Sequence, residues 1–293
     1  MVARARERFA GERTKLDRRR RKAEREGALP NLIVIGGLKC GTTSLHHYLA
    51  LHPEIAMSRP KELNFFVAEL NWGLGPEWYA SHFDRAAPVR GESSPHYTNL
   101  PRFAGVAERM RGLLGDGRVI YMVRDPIDRV RANWVHTYSN RAEDRPLRDA
   151  VLDPESSYVP RSRYHHQLSR YLEHYPLDGV LVLEQGDLLG DRRETLRRVF
   201  GFLEVDENVW HDAFDVQRLE TSARRRRTPL GAFVAERVRL RVWRRLRDHR
   251  PFSTAFEHPE IDADLRARLT ELLADDVARF RELTGRKFAS WSL

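Results

Sequence analysis

The sequence predicts an α/β fold in which a parallel β-sheet is flanked by helices within one catalytic domain. Three observations carry this expectation. Short apolar runs of the kind that fill buried strands recur along the chain, each runs into a turn, and a segment of helical periodicity follows each turn. A parallel sheet with helices on both faces satisfies such an alternation. A chain of 293 residues, 41% of them hydrophobic, is long enough to bury one sizeable core.

Residues 1–28 are expected to form a basic arm, and residues 29–293 the α/β domain. The arm holds eleven basic and five acidic residues, so +6 of the net charge of +9 lies there. Its "LDRRRRKAEREG" has almost nothing apolar to pack and reads as a solvated extension, disordered or transiently helical. "NLIVIGG", residues 31–37, is the first buried strand, and "TTSLHHYLALHP" is a helix that stops before Pro53. "RVIYMVRDP", residues 118–126, is the second strand, followed by a helix from near Ile127. "GVLVLEQGDLL", residues 179–189, supplies a third, with "DRRETLRRVFGFLEV" as the helix after it. In "SARRRRTPLGAFVAERVRLRVWRR" a loop at residues 224–227 precedes an amphipathic helix expected to dock through Leu230, Phe233, Val234, Val238 and Trp243. The tail "DADLRARLTELLADDVARFRELTG" is a helix that Gly285 can stop.

No run of eighteen apolar residues occurs, and the crowded N-terminal charge leaves no apolar signal-peptide region, so a soluble, non-exported protein is expected. Cys40 is the single cysteine, which excludes an intrachain disulfide and a cysteine-based zinc site and suits a reducing cytoplasm. The paired histidines of "LHHY" and "YHHQ" lack metal-ligand spacing, and no metal is expected.

In an open parallel sheet, ligands bind beyond the carboxyl ends of the strands, so the residues after the first two apolar runs form the candidate site. After the first, Gly36, Gly37, Leu38, Lys39, Cys40, Gly41, Thr42 and Thr43 offer successive backbone N–H groups, little bulk and then a helix N-terminus. That arrangement attracts phosphate or sulfate oxygens. Gly36 and Gly41 have Walker-loop spacing, but Thr42 stands where the Walker lysine belongs and Lys39 lies inside the loop. The displaced lysine reaches a different part of the anion from the terminal phosphates. After the second run, Arg124 either forks onto another phosphate or pairs with Asp125 or Asp128. Two anion sites on neighbouring strand ends suit a nucleotide with phosphates at two places.

Taken together, these segments resemble the sulfotransferases that use 3'-phosphoadenosine 5'-phosphosulfate (PAPS). "GGLKCGTTSL" is similar to that family's 5'-phosphosulfate loop and "VIYMVRDPIDR" to its 3'-phosphate strand and turn. "RPKELNFF" and "GESSPHY" resemble the "KE..FF" and "E.(S/T)P.Y" segments of the branch that includes heparan sulfotransferases, and "DVARFRELTGRKFASW" resembles bacterial members. The resemblance implies a P-loop-like fold, PAPS as sulfuryl donor without a metal, and a hydroxyl or amine acceptor on a small molecule, lipid or carbohydrate. It also implies that Lys39 neutralises charge on the oxygen bridging sulfur and phosphorus, that Glu62 is the base, and that His96 or Glu92 replaces or orients it. Residues 37–43 and Arg124 would hold the donor.

The chain departs from the family in two places. A serine expected eight positions after Arg124 is Ala132, so that Asn133, Arg131 or the loop bearing Arg224 and Arg225 would take over its contact with the 3'-phosphate. The lysine that often follows the glutamate of "GE" is Ser93, which weakens the case for a polyanionic sugar. A nucleotide-dependent kinase is the first alternative, and Thr42 argues against it. A nucleic-acid binder driven by the arm is the second, and it leaves the four ordered motifs unexplained. Phe65, Phe66, Trp72, Trp78, Tyr79 and Tyr97 either line an acceptor pocket or belong to the core.

Overall fold

The computed structural model describes residues 27–216, 225–237, 243, 246, 249 and 251–293. Five strands, β1 (Leu32–Val34), β2 (Ile55–Met57), β3 (Val89–Ser93), β4 (Arg118–Val123) and β5 (Val180–Glu184), pair in parallel in the order β2-β3-β1-β4-β5. β1 is buried throughout and β4 from Val119 onward, as continuous apolar runs must be when a sheet is covered on both faces. In chain order the helices are α1 (Thr42–Leu49), α2 (Gly75–Ala80), α3 (Val106–Leu114), α4 (Pro126–Ser139), α5 (Leu147–Leu152), α6 (Tyr164–Leu172), α7 (Gln185–Gly190), α8 (Arg192–Leu203), α9 (Pro229–Arg237) and α10 (Ala263–Thr284).

The three expected strands are β1, β4 and β5. β2 and β3 escape a reading based on apolar runs for a physical reason: the apolar run of β2 is confined to Ile55–Met57 between Glu54 and Ser58, and β3, "VRGES", buries Glu92 and Ser93 completely. β5 is shorter than residues 179–189. It ends at Glu184, whose carboxylate accepts hydrogen bonds from Ser290 Oγ (2.7 Å) and Trp291 Nε1 (2.9 Å), and residues 185–190 turn into α7.

The second basic cluster also differs from expectation. Arg226 and Arg227 form a two-residue antiparallel ribbon with Ser253 and Thr254, and Arg224 and Val238 lie outside the described residues. α9 does not dock through all its apolar side chains, since Leu230 and Phe233 are 47% and 53% exposed. Its glycine makes the close approach instead: a Cβ at Gly231 would lie 1.9 Å from the Phe252 carbonyl oxygen. Trp243 is buried as expected.

α10 begins on Asp262, whose carboxylate accepts the Leu265 N–H at 2.8 Å, and stops at Gly285 with φ 64°. Leu265, Leu269 and Leu273 pack against Ile127, Val130 and Trp134 in a second core cluster. This cluster backs α4, the helix that follows the Arg124 turn. Of the basic arm, residues 1–26 lie outside the described residues, whereas Gly27 and Ala28 contact the body, with Arg85 Nη2 donating to the Gly27 carbonyl at 2.7 Å.

Candidate active site

The loop after β1 passes so close to β4 that only glycine fits at its first position. A Cβ at Gly36 would lie 2.2 Å from Met122 Cβ. The Gly37 N–H donates to the Met122 carbonyl at 2.9 Å, which locks the loop onto the neighbouring strand end. Lys39 (φ 75°) and Gly41 (φ 93°) both take the left-handed conformation, so the chain curls before entering α1. A non-glycine residue there costs about 1–2 kcal/mol, held by the surrounding loop. α1 starts at Thr42 with no side-chain cap and no acidic residue in its first turn, which leaves an anion-attracting helix end. Gly37, Leu38, Lys39, Gly41, Thr42 and Thr43 thus lie in this loop and at the head of α1. Cys40 differs from them: it is fully buried, its N–H donates to the Gly37 carbonyl at 3.1 Å, and burial pushes its thiol pKa up.

Arg124 emerges from β4 beside this loop. Its guanidinium meets the Asp128 carboxylate at 3.2 Å, the plainer of the two pairings open from sequence, in a partly exposed contact that a doubly charged phosphate can outcompete. The turn itself is rigid. Tyr164 Oη donates to the Arg124 carbonyl (2.8 Å), and Asp125 accepts from the Asp128 N–H (2.8 Å) and the Ser292 N–H (2.5 Å). One turn into α4, Arg129 is fully buried and donates from Nε to Ser162 Oγ at 2.5 Å and from Nη2 to the Tyr158 carbonyl. Its Nη1 has no partner among the described residues, nor does the buried amide oxygen of Asn133. Ala132 is also buried, and Arg131 Nε donates to the Pro259 carbonyl at 2.7 Å.

Arg225 is held by Ser253, through Nε to Oγ at 3.0 Å and Nη2 to the carbonyl at 3.2 Å. Arg226 stacks 3.9 Å above the Tyr138 ring and bonds Tyr138 Oη and Asp144. The basic loop therefore sits on α4, the helix that carries Ala132.

The third element is the segment after β2. Glu62 lies in it with φ 67°, its side chain 41% exposed and bonded to Lys61 Nζ at 2.5 Å. The ion pair that the sequence allows is thus present, but the carboxylate still faces solvent, where an acceptor must arrive. Lys61 is the more buried partner, with 16% of its side chain exposed. Burial, reinforced by the Lys61 ammonium, pushes the His46 pKa down to about 4, while His46 Nδ1 meets Ser93 Oγ at 3.0 Å. The position where the heparan branch carries a lysine is occupied here by a hydroxyl and imidazole pair.

Glu92 anchors the Glu62 segment from below. It is fully buried, accepts from Tyr79 Oη at 2.8 Å, from Tyr97 Oη, and from Ser94 Oγ at 3.1 Å. Ser94 Oγ in turn accepts the Asn64 N–H at 3.0 Å, and the Leu63 N–H also supports the charged carboxylate. Glu62 is followed by two positions tied to one buried group. Burial nonetheless raises the Glu92 pKa to about 7 against those bonds. The folded-state pKa lies above the unfolded value of 4.5, so the contribution to stability is greatest below about pH 4.5 and is lost as pH rises to about 7. In thermal melts from pH 4.5 to 7.5, the wild-type protein should lose on the order of 3 kcal/mol relative to Glu92→Gln, which cannot titrate. Parallel profiles for the two proteins would refute the assignment.

His96 follows β3. Its Nδ1 lies 3.0 Å from Arg161 Nη2, and its pKa is pushed down to about 4 by burial and the Arg161 charge. Phe65, Phe66, Tyr79 and Tyr97 are core residues, while Trp72 and Trp78 are half-buried against them. Sequence reasoning gave no separate role to Lys61, Arg129 or Arg161. The lysine reads as a surface partner of Glu62, Arg129 closes the segment "VIYMVRDPIDR" without being singled out, and Arg161 is one among 51 basic residues with no motif spacing to mark it.

Strand order places these four segments side by side at one edge: Glu62 beyond β2, His96 beyond β3, the glycine loop beyond β1 and Arg124 beyond β4. The residues fit a multiply charged anion, because the loop supplies an uncapped helix end and the buried Arg129 and Arg161 each keep a guanidinium nitrogen without a partner among the described residues. Fold and site together define a P-loop-like α/β domain that binds an anion at the carboxyl edge of its sheet. The chain belongs to the sulfotransferase domain family, whose model matches residues 29–226.

Among proteins of known identity, the chain is 40% identical over 106 residues to a membrane-associated sulfotransferase, kil1, of Dictyostelium discoideum, covering 34% of this chain and 21% of that one. It is 30% identical over 185 residues to heparan sulfate glucosamine 3-O-sulfotransferase 3B1 of Mus musculus, covering 60% of this chain and 46% of that protein. The chain thus spans less than half the length of these two relatives. A solved sulfotransferase from Alicyclobacillus acidocaldarius shares the fold, with a TM-score of 0.68 and 24% identity over 91% of this chain and 100% of that one.

Proposed function

We propose that the protein transfers a sulfuryl group from PAPS to a hydroxyl or amine of a small-molecule, lipid or carbohydrate acceptor. The observation that carries this reading is the emergence of all four motif segments at the carboxyl ends of four adjacent parallel strands. PAPS supplies an activated sulfuryl group whose leaving group is a phosphate.

The chain's own residues would do the rest. The backbone N–H groups around residues 37–43 and the head of α1 bind the 5' end, and Lys39 places a cation beside the loop. Arg124, at the end of the adjacent strand, binds the 3'-phosphate in place of Asp128. Asn133, the next residue along the same helix and able to donate from its side-chain amide, and Arg225 are the candidates to make up for the hydroxyl missing at Ala132. Arg225 is committed to Ser253, so any contact from the loop draws on its neighbours or on a rearranged Arg225. Glu62 accepts the acceptor's proton at its carboxylate, and His96 faces the same space.

No described helix is long and apolar enough to cross a membrane. We place the enzyme in the cytoplasm, a reading that its single, buried cysteine supports. Calorimetry tests the proposal directly. Adenosine 3',5'-bisphosphate should bind at least about 100-fold more tightly than ADP or ATP, a difference of about 2.7 kcal/mol, with no dependence on magnesium. ATP as the better ligand, or binding that requires magnesium, would favour the kinase reading instead.

A further inference from the structure

We infer that Arg161 is a positioning residue that fixes His96 as a neutral imidazole carrying its proton on Nε2, so that His96 donates a hydrogen bond to the reacting groups while Glu62 acts as the base. The inference rests on the sulfuryl-transfer reading for its catalytic consequence. The geometry beneath it does not.

A guanidinium has five N–H donors and no lone pair. Arg161 Nη2 lies 3.0 Å from His96 Nδ1, so Nδ1 must be the acceptor in that contact. A neutral imidazole with its Nδ1 lone pair engaged carries hydrogen on Nε2, which leaves that nitrogen able to donate and unable to take a proton. An imidazolium would set an N–H against an N–H. Arg161 is itself 4% exposed and also points Nη2 at the Pro95 carbonyl, the residue just before His96. Among the described residues it makes no ion pair, and its Nε is buried without a partner. Burying an arginine without a carboxylate is costly, and the contact it makes is with His96.

The groups that act on His96 come from three segments. Arg161 comes from the 3-10 turn Pro160–Ser162, Arg102 from the chain before α3, and Glu62 from the segment after β2. The Phe103 ring packs nearly perpendicular to the imidazole, with the two centroids 5.5 Å apart. Burial, then Arg161 and Arg102, disfavour the imidazolium, and Glu62 favours it. Burial and the arginines win, and the result protects the base. An imidazolium beside Glu62 would hold the carboxylate in an ion pair, whereas a neutral ring leaves it to the acceptor's proton.

The test joins a titration with a rate profile. In the wild-type protein, the His96 ring signals, assigned by comparison with His96→Gln, should not titrate between pH 5 and 9, and kcat should show no limb near pH 6.5. In Arg161→Met the ring should titrate at a pH raised from about 4 toward the ordinary value, because Glu62 remains while burial and Arg102 still oppose the charge. kcat should then fall below that pH and recover above it. Arg161→Lys, another residue that only donates, should restore the wild-type profile. A second comparison does not depend on Arg161 variants folding. His96→Ala should lose about 100-fold in kcat, as for one removed donor, and His96→Gln, whose amide can donate, should recover most of it.

An Arg161→Met protein whose ring titration is unchanged, or equal losses in His96→Gln and His96→Ala, would overturn the inference. A shifted ring titration in a protein that transfers no sulfuryl group from PAPS would leave Arg161 in its role and sink the proposed reaction instead.

Discussion

Lys39→Met is expected to lower kcat by about 10³-fold while weakening adenosine 3',5'-bisphosphate by less than about tenfold. The asymmetry follows from where the lysine stands. Binding at the 5' end can draw on the backbone N–H groups around residues 37–43 and on the uncapped head of α1, none of which the substitution touches. The ammonium contributes a charge whose value grows as the bond between sulfur and phosphate breaks and the bridging oxygen becomes anionic. A Walker lysine, set beside the terminal phosphates, would be tied to magnesium-dependent chemistry at the other end of the anion.

Methionine keeps the length and the apolar stem, and it bears the same left-handed strain at φ 75°, so the melting temperature should hardly move. Lys39→Gly provides the contrast. It relieves the strain and should be as inactive as the methionine variant at equal or higher stability. Equal losses in turnover and in bisphosphate affinity in Lys39→Met would reduce the residue to an anchor.

What the sequence made legible follows the physics of each segment. β1 and β4 are buried on both faces and were readable as continuous apolar runs, and the glycines between β1 and α1 declared a tight turn that the 2.2 Å approach at Gly36 explains. β3 could not be read in this way. Its buried carboxylate is compensated by Tyr79, Tyr97 and Ser94, partners that only the tertiary fold assembles.

The same limit applies to the site. Lys39, Glu62, His96, Arg124 and Arg129 lie in motifs that follow adjacent strands, but the contacts that hold Arg161 and Arg129 are with residues more than thirty positions away, His96 and Ser162 respectively. Charge that is buried without a partner has no signature in a sequence so rich in arginine. It becomes visible once burial and hydrogen bonds are known. Both arginines then share one logic: each holds a positive charge near the buried Cys40 of the loop at a cost in desolvation.

Glu62→Gln is expected to retain bisphosphate binding while turnover falls by about 10²–10⁴-fold, the range for loss of a general base. The substitution is close to isosteric. Its amide oxygen can still accept from Lys61 Nζ, and the backbone ties at Leu63 and Asn64, which run through Glu92 and Ser94, do not involve the side chain. The loop should therefore keep its shape, and the loss reads the carboxylate's proton affinity rather than a displaced segment. The positive φ of 67° is unchanged between the two residues, so the stability should also be nearly equal. His96 sharpens the interpretation. If its Nδ1 is engaged by Arg161, it has no lone pair to offer, and the other candidate, Glu92, is fully buried beneath the segment. Turnover in Glu62→Gln within a few-fold of wild type would return the role to His96 and, with it, require the imidazole to release Arg161. A loss of bisphosphate affinity as large as the loss of turnover would instead mean that Glu62 shapes the donor site, and that the proton leaves by another route.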